Sequence, residues 1–137
     1  MALTQFDEVS PSYPTSATAG PAALRRGNVI FGQVLSAIAA TVDVLWEDGK
    51  FVETIPVADG GGLDQIAPVS SAIQGKIVYP GSAADIQSPE YRCLVVRTYS
   101  RQTNGSGTTN EYALLRSLQT GQMFEVILTS VQEILGQ

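Results

Sequence analysis

The side chains of this 137-residue sequence that could do chemistry are few, and their types exclude most reactions before spacing is considered. There is no histidine and one cysteine, Cys93, so no intramolecular disulfide can form and no imidazole is present to activate a nucleophile. The usual zinc sets cannot be assembled either. Cys93 sits in the apolar run "YRCLVV", where a thiol reads as a small buried hydrophobe. "DGGGLD", Asp59 to Asp64, has the glycines of a phosphate cradle, but no Lys-Ser/Thr follows it and no helix signal opens after it. Its flanking carboxylates would also repel an anion, so it reads as a turn. The other acidic residues occur singly or as neighbours such as Glu47-Asp48, which does not set an acid–base pair apart from solvated charge. No catalytic residue, metal ligand or cofactor-binding residue is expected, and the chain reads as non-enzymatic.

The elements that would carry any site are those of a globular, β-rich chain. Hydrophobic residues make up 44% of it, and thirteen glycines and seven prolines imply many turns between short elements, which favours strands over a helical bundle. Net charge is −5, and the eight basic residues are scattered with no stripe to track a phosphate backbone, so nucleic acid is not an expected partner. Only 15% of residues are charged, against about 25% in an average soluble domain, a surface suited to packing inside an assembly. No apolar run reaches membrane-spanning length, and the first twenty residues lack a basic segment followed by an apolar one, so synthesis in a cytoplasm is expected.

Three regions follow from the pattern. Residues 1–26 read as an extended arm, because Pro11, Pro14 and Pro21 fix φ and restrict the residues before them, and no hydrophobic period persists. Fully stretched at ~3.3 Å per residue, such an arm reaches roughly 80 Å, enough to cross a neighbouring subunit. Residues 27–74 read as a compact β module. "NVIFGQVLSAI" supplies strand residues Val29, Phe31, Val34 and Ile38 around Gly32, and a hairpin turning at Asp48-Gly49 comes next. In that register Trp46 faces Phe51, Val44 faces Glu53 and Val42 faces Ile55 on one side. On the other side Glu47 faces Lys50, Leu45 faces Val52 and Asp43 faces Thr54. Glu53 is the misfit on the apolar side. A helix over "GQVLSAIAATVDVLWED" competes, but the β-branched and aromatic residues from Thr41 onward and the period of two favour strands.

The stretch "VDVLWEDGKFVETIPVADGGGLDQI" resembles SH3-like small barrels of the Tudor and KOW kind. Val42, Val44, Trp46, Asp48, Gly49, Ile55, Pro56, Leu63 and Ile66 occupy matching positions, and Gly60 to Gly62 form an insertion relative to the pattern. The resemblance covers about forty residues and implies a closed small barrel. It also suggests an aromatic cage for a methylated cation, for which Trp46, Phe51 and Phe31 are the candidates; too few rings converge, and core packing is the preferred reading.

Residues 75–137 read as a second module, opened by "GKIVYPG", with strands in "YRCLVVRTYSR" and "EYALLRSL" about a polar loop "QTNGSGTTN", and finished by "MFEVILTSVQEIL". Its "TSVQEI" echoes "GGLDQI" of the first, which suggests a weak repeat of the same barrel. The expected architecture is therefore all-β, with one or two small SH3-like β-barrels packed together behind an extended N-terminal arm. The expected function is a structural component of a large assembly, most concretely a tailed-phage capsid decoration (cement) or other virion protein. Its partners would be the major capsid protein and further copies of itself, and its arm residues Phe6, Tyr13, Pro14, Leu24 and Arg25 would bind the neighbour. The alternative is a soluble SH3/Tudor-like module that recognises a peptide or a modified side chain.

Overall fold

The computed structural model describes residues 3–11, 30–38, 41–47, 52–56, 63–103 and 109–134. Among these the chain is all-β, with ten strands: β1 Glu8–Pro11, β2 Gly32–Ile38, β3 Thr41–Trp46, β4 Val52–Pro56, β5 Leu63–Pro68, β6 Ile77–Tyr79, β7 Cys93–Thr103, β8 Thr109–Ser117, β9 Met123–Ile127 and β10 Gln132–Glu133. Single turns of 3-10 helix occur at Ala84–Ile86, Pro89–Tyr91 and Leu128–Ser130. The chain divides into two compact units, the first Met1–Ala67 with Arg101–Thr109, the second Pro68–Ser100 with Asn110–Gln137.

In the first unit the strand order is β5-β1-β2-β3-β4. The β3–β4 hairpin has the register expected from its alternation, with Val42 opposite Ile55, Asp43 opposite Thr54, Val44 opposite Glu53 and Leu45 opposite Val52. Its turn and Phe51 lie outside the described residues. Val42, Val44, Trp46 and Ile55 point inward and join Leu3, Val9, Val34 and Leu63 in one core cluster. Each fully buried Val or Ile contributes about 1.5–3 kcal/mol relative to exposure, so the alternation itself pins the register. Gly32 is required by that core. A Cβ there would meet Val44 Cγ1 at 2.7 Å and Trp46 Cε3 at 2.8 Å, so only glycine lets β2 lie against these two side chains.

Ile38, named from the sequence as an apolar strand residue, does lie in β2 but is 72% exposed. The ladder between β2 and β3 shifts between Val34 and Ser36, and this bulge moves Ala37 to the core side and Ile38 to the solvent side. One expectation for this unit is corrected: the N-terminal arm is not an arm over its described part. Residues 8–11 are β1, paired with β2 on one side and β5 on the other, and Leu3, Val9 and Ser10 are buried. Proline at the end of a strand costs no ladder bond that the strand needs, so Pro11 does not prevent this. Residues 12–29 lie outside the described residues.

The SH3-like barrel of the Tudor or KOW kind is also overturned. Closure would require the sheet to return on itself, but β4 pairs with β3 alone among the described residues, and the far neighbour of β5 is β7, whose residues 101–103 belong to this unit. The sheet is open.

In the second unit the order is β10-β6-β7-β8-β9, again open, with β9 and β10 each taking one neighbour among the described residues. A second barrel is not formed. Its core is Val78, Cys93, Val95, Ala113 and Leu115, against which Phe124 and Val126 of β9 pack. The β8–β9 turn is shaped by Ser117, whose Oγ accepts the N–H groups of Gln119 and Thr120, and by Gly121 at φ 76°. On β7, Tyr99 is buried, donates its hydroxyl to Glu125 and lies 5.4 Å beneath the Arg97 guanidinium.

Candidate functional site: an acidic-rimmed apolar groove

The outer face of the first unit's sheet carries a row of cross-strand neighbours. Glu8 of β1 is opposite Gln33 of β2, Gln33 is opposite Leu45 of β3, and Leu45 is opposite Val52 of β4. Their sequence neighbours Val9, Val34, Val44 and Glu53 face the core, so period two turns this row to solvent. At the β1 end the row opens into a groove of about 460 Å³ lined by Phe6, Glu8, Phe31, Gln33, Leu45 and Glu47, with backbone at Gly32.

Phe6 forms one wall. It is 66% exposed and takes a left-handed φ of 74°, uncommon for a bulky residue. A local turn holds it there. The Thr4 N–H donates to Asp7 Oδ2 at 2.8 Å, the Asp7 N–H to the Thr4 carbonyl at 3.2 Å, and the Phe6 N–H to the Val34 carbonyl at 2.7 Å. Val34 returns its own N–H to the Asp7 carbonyl at 2.9 Å. The turn thereby docks on β2, and the aromatic ring is carried outward.

Glu47 forms the opposite rim. Its N–H donates to the Phe31 carbonyl at 2.8 Å, and its Oε1 accepts the Phe31 N–H at 3.0 Å, so the β2–β3 ladder continues one step past Gly32 and Trp46 through a side chain. That bond orients the carboxylate beside the groove and occupies one of its two oxygens.

Among the expected partner-binding residues, the structure brings Phe6 to this groove; Tyr13, Pro14, Leu24 and Arg25 lie outside the described residues. The cage candidates are used otherwise. Trp46 is fully buried, Phe31 is nearly so, and the Trp46 indole N–H donates to Glu53 Oε1 at 2.8 Å. Glu53, the misfit in the hairpin pattern, is thus the acceptor for a buried donor.

A second polar group was not singled out by sequence. Arg101 is buried, and its Nη1 donates to the Pro11 carbonyl at 3.1 Å and to Asp64 Oδ2 at 3.3 Å, while Nη2 donates to Ser10 Oγ at 3.0 Å. Ser10 and Asp64 are direct partners across β1 and β5, so the guanidinium ties that pair together. Period two offered a signal, since Arg101 follows the buried residues Cys93, Val95 and Tyr99 at even spacing along β7. The cluster satisfies its own charges and reads as a clamp on the first unit.

Cys93 is buried, and removal from water pushes its thiol above the ordinary cysteine value. Its Sγ lies 3.4 Å from the Tyr91 carbonyl. Among the described residues no group of three or more His, Cys, Asp or Glu side chains is placed to hold a metal ion. An apolar groove with an oriented carboxylate is equipped for recognition. Compared with known proteins, the chain matches no family model, no curated protein and no solved structure.

Proposed function

We propose that this chain is a non-catalytic structural subunit of a larger protein assembly, of the kind a virion is, and that it joins its neighbours by strand addition. The observation that carries this reading is the edge strand β9. Among the described residues it pairs with β8 alone, leaving one side of its backbone as a template for another strand. Natural edges are commonly blunted by lysine, proline or a bulge. The sequence of β9, "MFEVI", has none of the first two, and its β8 register runs without a shift from Tyr112–Ile127 to Arg116–Met123. Met123 and Ile127 stand exposed on its outer face while Phe124 and Val126 hold it to the core.

The test is the size of the complex that contains this chain in its native cells, measured by size-exclusion chromatography for the natural sequence and for Ile127→Lys. The natural chain is expected far above monomer size, and the lysine, on an exposed position of the edge, is expected to return it toward monomer without changing its urea midpoint. A chain that elutes as a monomer in both forms would refute the reading.

A further inference from the structure

We propose that the groove of the first unit receives a linear protein segment in which an arginine or lysine stands beside a bulky apolar side chain. The apolar side chain seats between Phe6 and Leu45, and the cation meets the Glu47 carboxylate. None of the groove's lining residues belongs to β9, so the proposal goes beyond strand addition and can fail without affecting it.

Three observations define the occupant. The first is charge: the described lining presents the Glu47 carboxylate and no lysine or arginine, in a chain of net charge −5, while Glu8, the other carboxylate of the lining, has a partner of its own. Electrostatic complementarity then selects a cationic segment over an acidic one or a nucleic acid. The second is orientation. Glu47 Oε1 is held by the Phe31 N–H, so the other carboxylate oxygen is presented at a fixed place, which reduces the ordering cost of binding. The third is Phe6. The fold needs no aromatic ring at an exposed, left-handed position; asparagine or glycine would occupy that backbone with less strain. A large apolar side chain displayed there, in one lining with the exposed Leu45 and with Phe31 and Gly32, is a ready wall for an apolar anchor.

The experiment uses the full chain, labelled with ¹⁵N, and two probes at millimolar concentration, N-acetyl-Leu-Arg-amide and N-acetyl-Leu-Glu-amide. Amide shifts at Phe6, Gln33, Leu45 and Glu47 are expected with the arginine probe and at least several-fold weaker binding with the glutamate probe. Glu47→Gln should weaken the arginine probe about 2–5-fold, the range of one partly exposed ion pair, and raised salt should do the same to the natural chain. Phe6→Asn should abolish binding while unfolding at an equal or higher urea midpoint, which separates loss of the wall from loss of the fold. Equal binding of the two probes, shifts mapping elsewhere, or unchanged affinity in Phe6→Asn would each overturn the proposal. So would groove shifts that grow with protein concentration in the absence of probe and vanish in Phe6→Asn, because they would assign the groove to a second copy. If the groove fails these tests while Ile127→Lys still dissolves the native complex, the assembly reading stands alone.

Discussion

The indole N–H of Trp46 lies 2.8 Å from a carboxylate oxygen of Glu53, with both side chains buried on the inner face of the β3–β4 hairpin. Glu53 is directly opposite Val44, which places it diagonally across from Trp46, within reach of a long side chain. The pair accounts for an acidic residue at a position whose neighbours are apolar. A buried indole N–H without an acceptor costs about 1–3 kcal/mol, and a buried carboxylate without a donor costs more.

Glu53→Ala is therefore expected to lower stability by about 1–3 kcal/mol, and Glu53→Gln, which keeps an acceptor, by less. Urea unfolding followed by the fluorescence of the chain's one tryptophan reads both, since that residue is itself the donor. Equal midpoints for the alanine and natural chains would show that the bond contributes nothing net.

The Arg101–Asp64 pair is the other buried polar commitment of the first unit, with its two side chains 5% and 6% exposed. Removing one partner from a buried pair leaves an uncompensated charge and typically costs about 3–5 kcal/mol, whereas replacing both with apolar residues of similar size is often close to neutral. Arg101→Met should thus be severely destabilising, and adding Asp64→Leu should recover part of the loss. A double-mutant cycle in urea measures this coupling; additive losses would contradict it.

Asp43 sits on the outer face with its carboxylate bonded by two hydroxyls, Thr54 Oγ1 at 2.5 Å and Ser36 Oγ at 3.0 Å. The Thr54 bond first, and the Ser36 bond second, hold its carboxyl below the ordinary aspartate value. Because the folded value is the lower one, any stability this group lends is present above the unfolded value and is lost as pH falls through the folded value. Thr54→Val should move the Asp43 titration upward, and a carbon-detected NMR titration of the side-chain carboxyl checks the direction. No upward shift would show that the Thr54 hydroxyl is not its cause.

How far the hairpin could be read before folding depended on the range of the forces involved. The pairs Val42–Ile55, Asp43–Thr54, Val44–Glu53 and Leu45–Val52 were legible because alternation along two adjacent strands is a local property, and a slip by one residue would expose every valine. The bulge after Val34 was not legible: it inserts a residue without marking the sequence, and it turned Ile38 outward. The groove was not legible: Phe6 stands out in the sequence only as a residue of the arm, and Gln33 of β2, Leu45 of β3 and Glu47 just past β3 are gathered beside it only by cross-strand register.

By itself the sequence determined the β class, through its alternation and turn residues, and it left no histidine and a single cysteine for any site to use. Tertiary structure decided the rest. Residues 8–11, proline-bounded and without a period of their own, become the strand between β2 and β5 because two partners with free edges and a core that accepts Val9 are available there. The sheet stays open because β5 takes β7 as its far neighbour and leaves β4 with β3 alone among the described residues. Strand pairing between distant segments carries no local mark, since backbone N–H and C=O groups are the same at every residue and the choice among them rests on what the whole chain can bury.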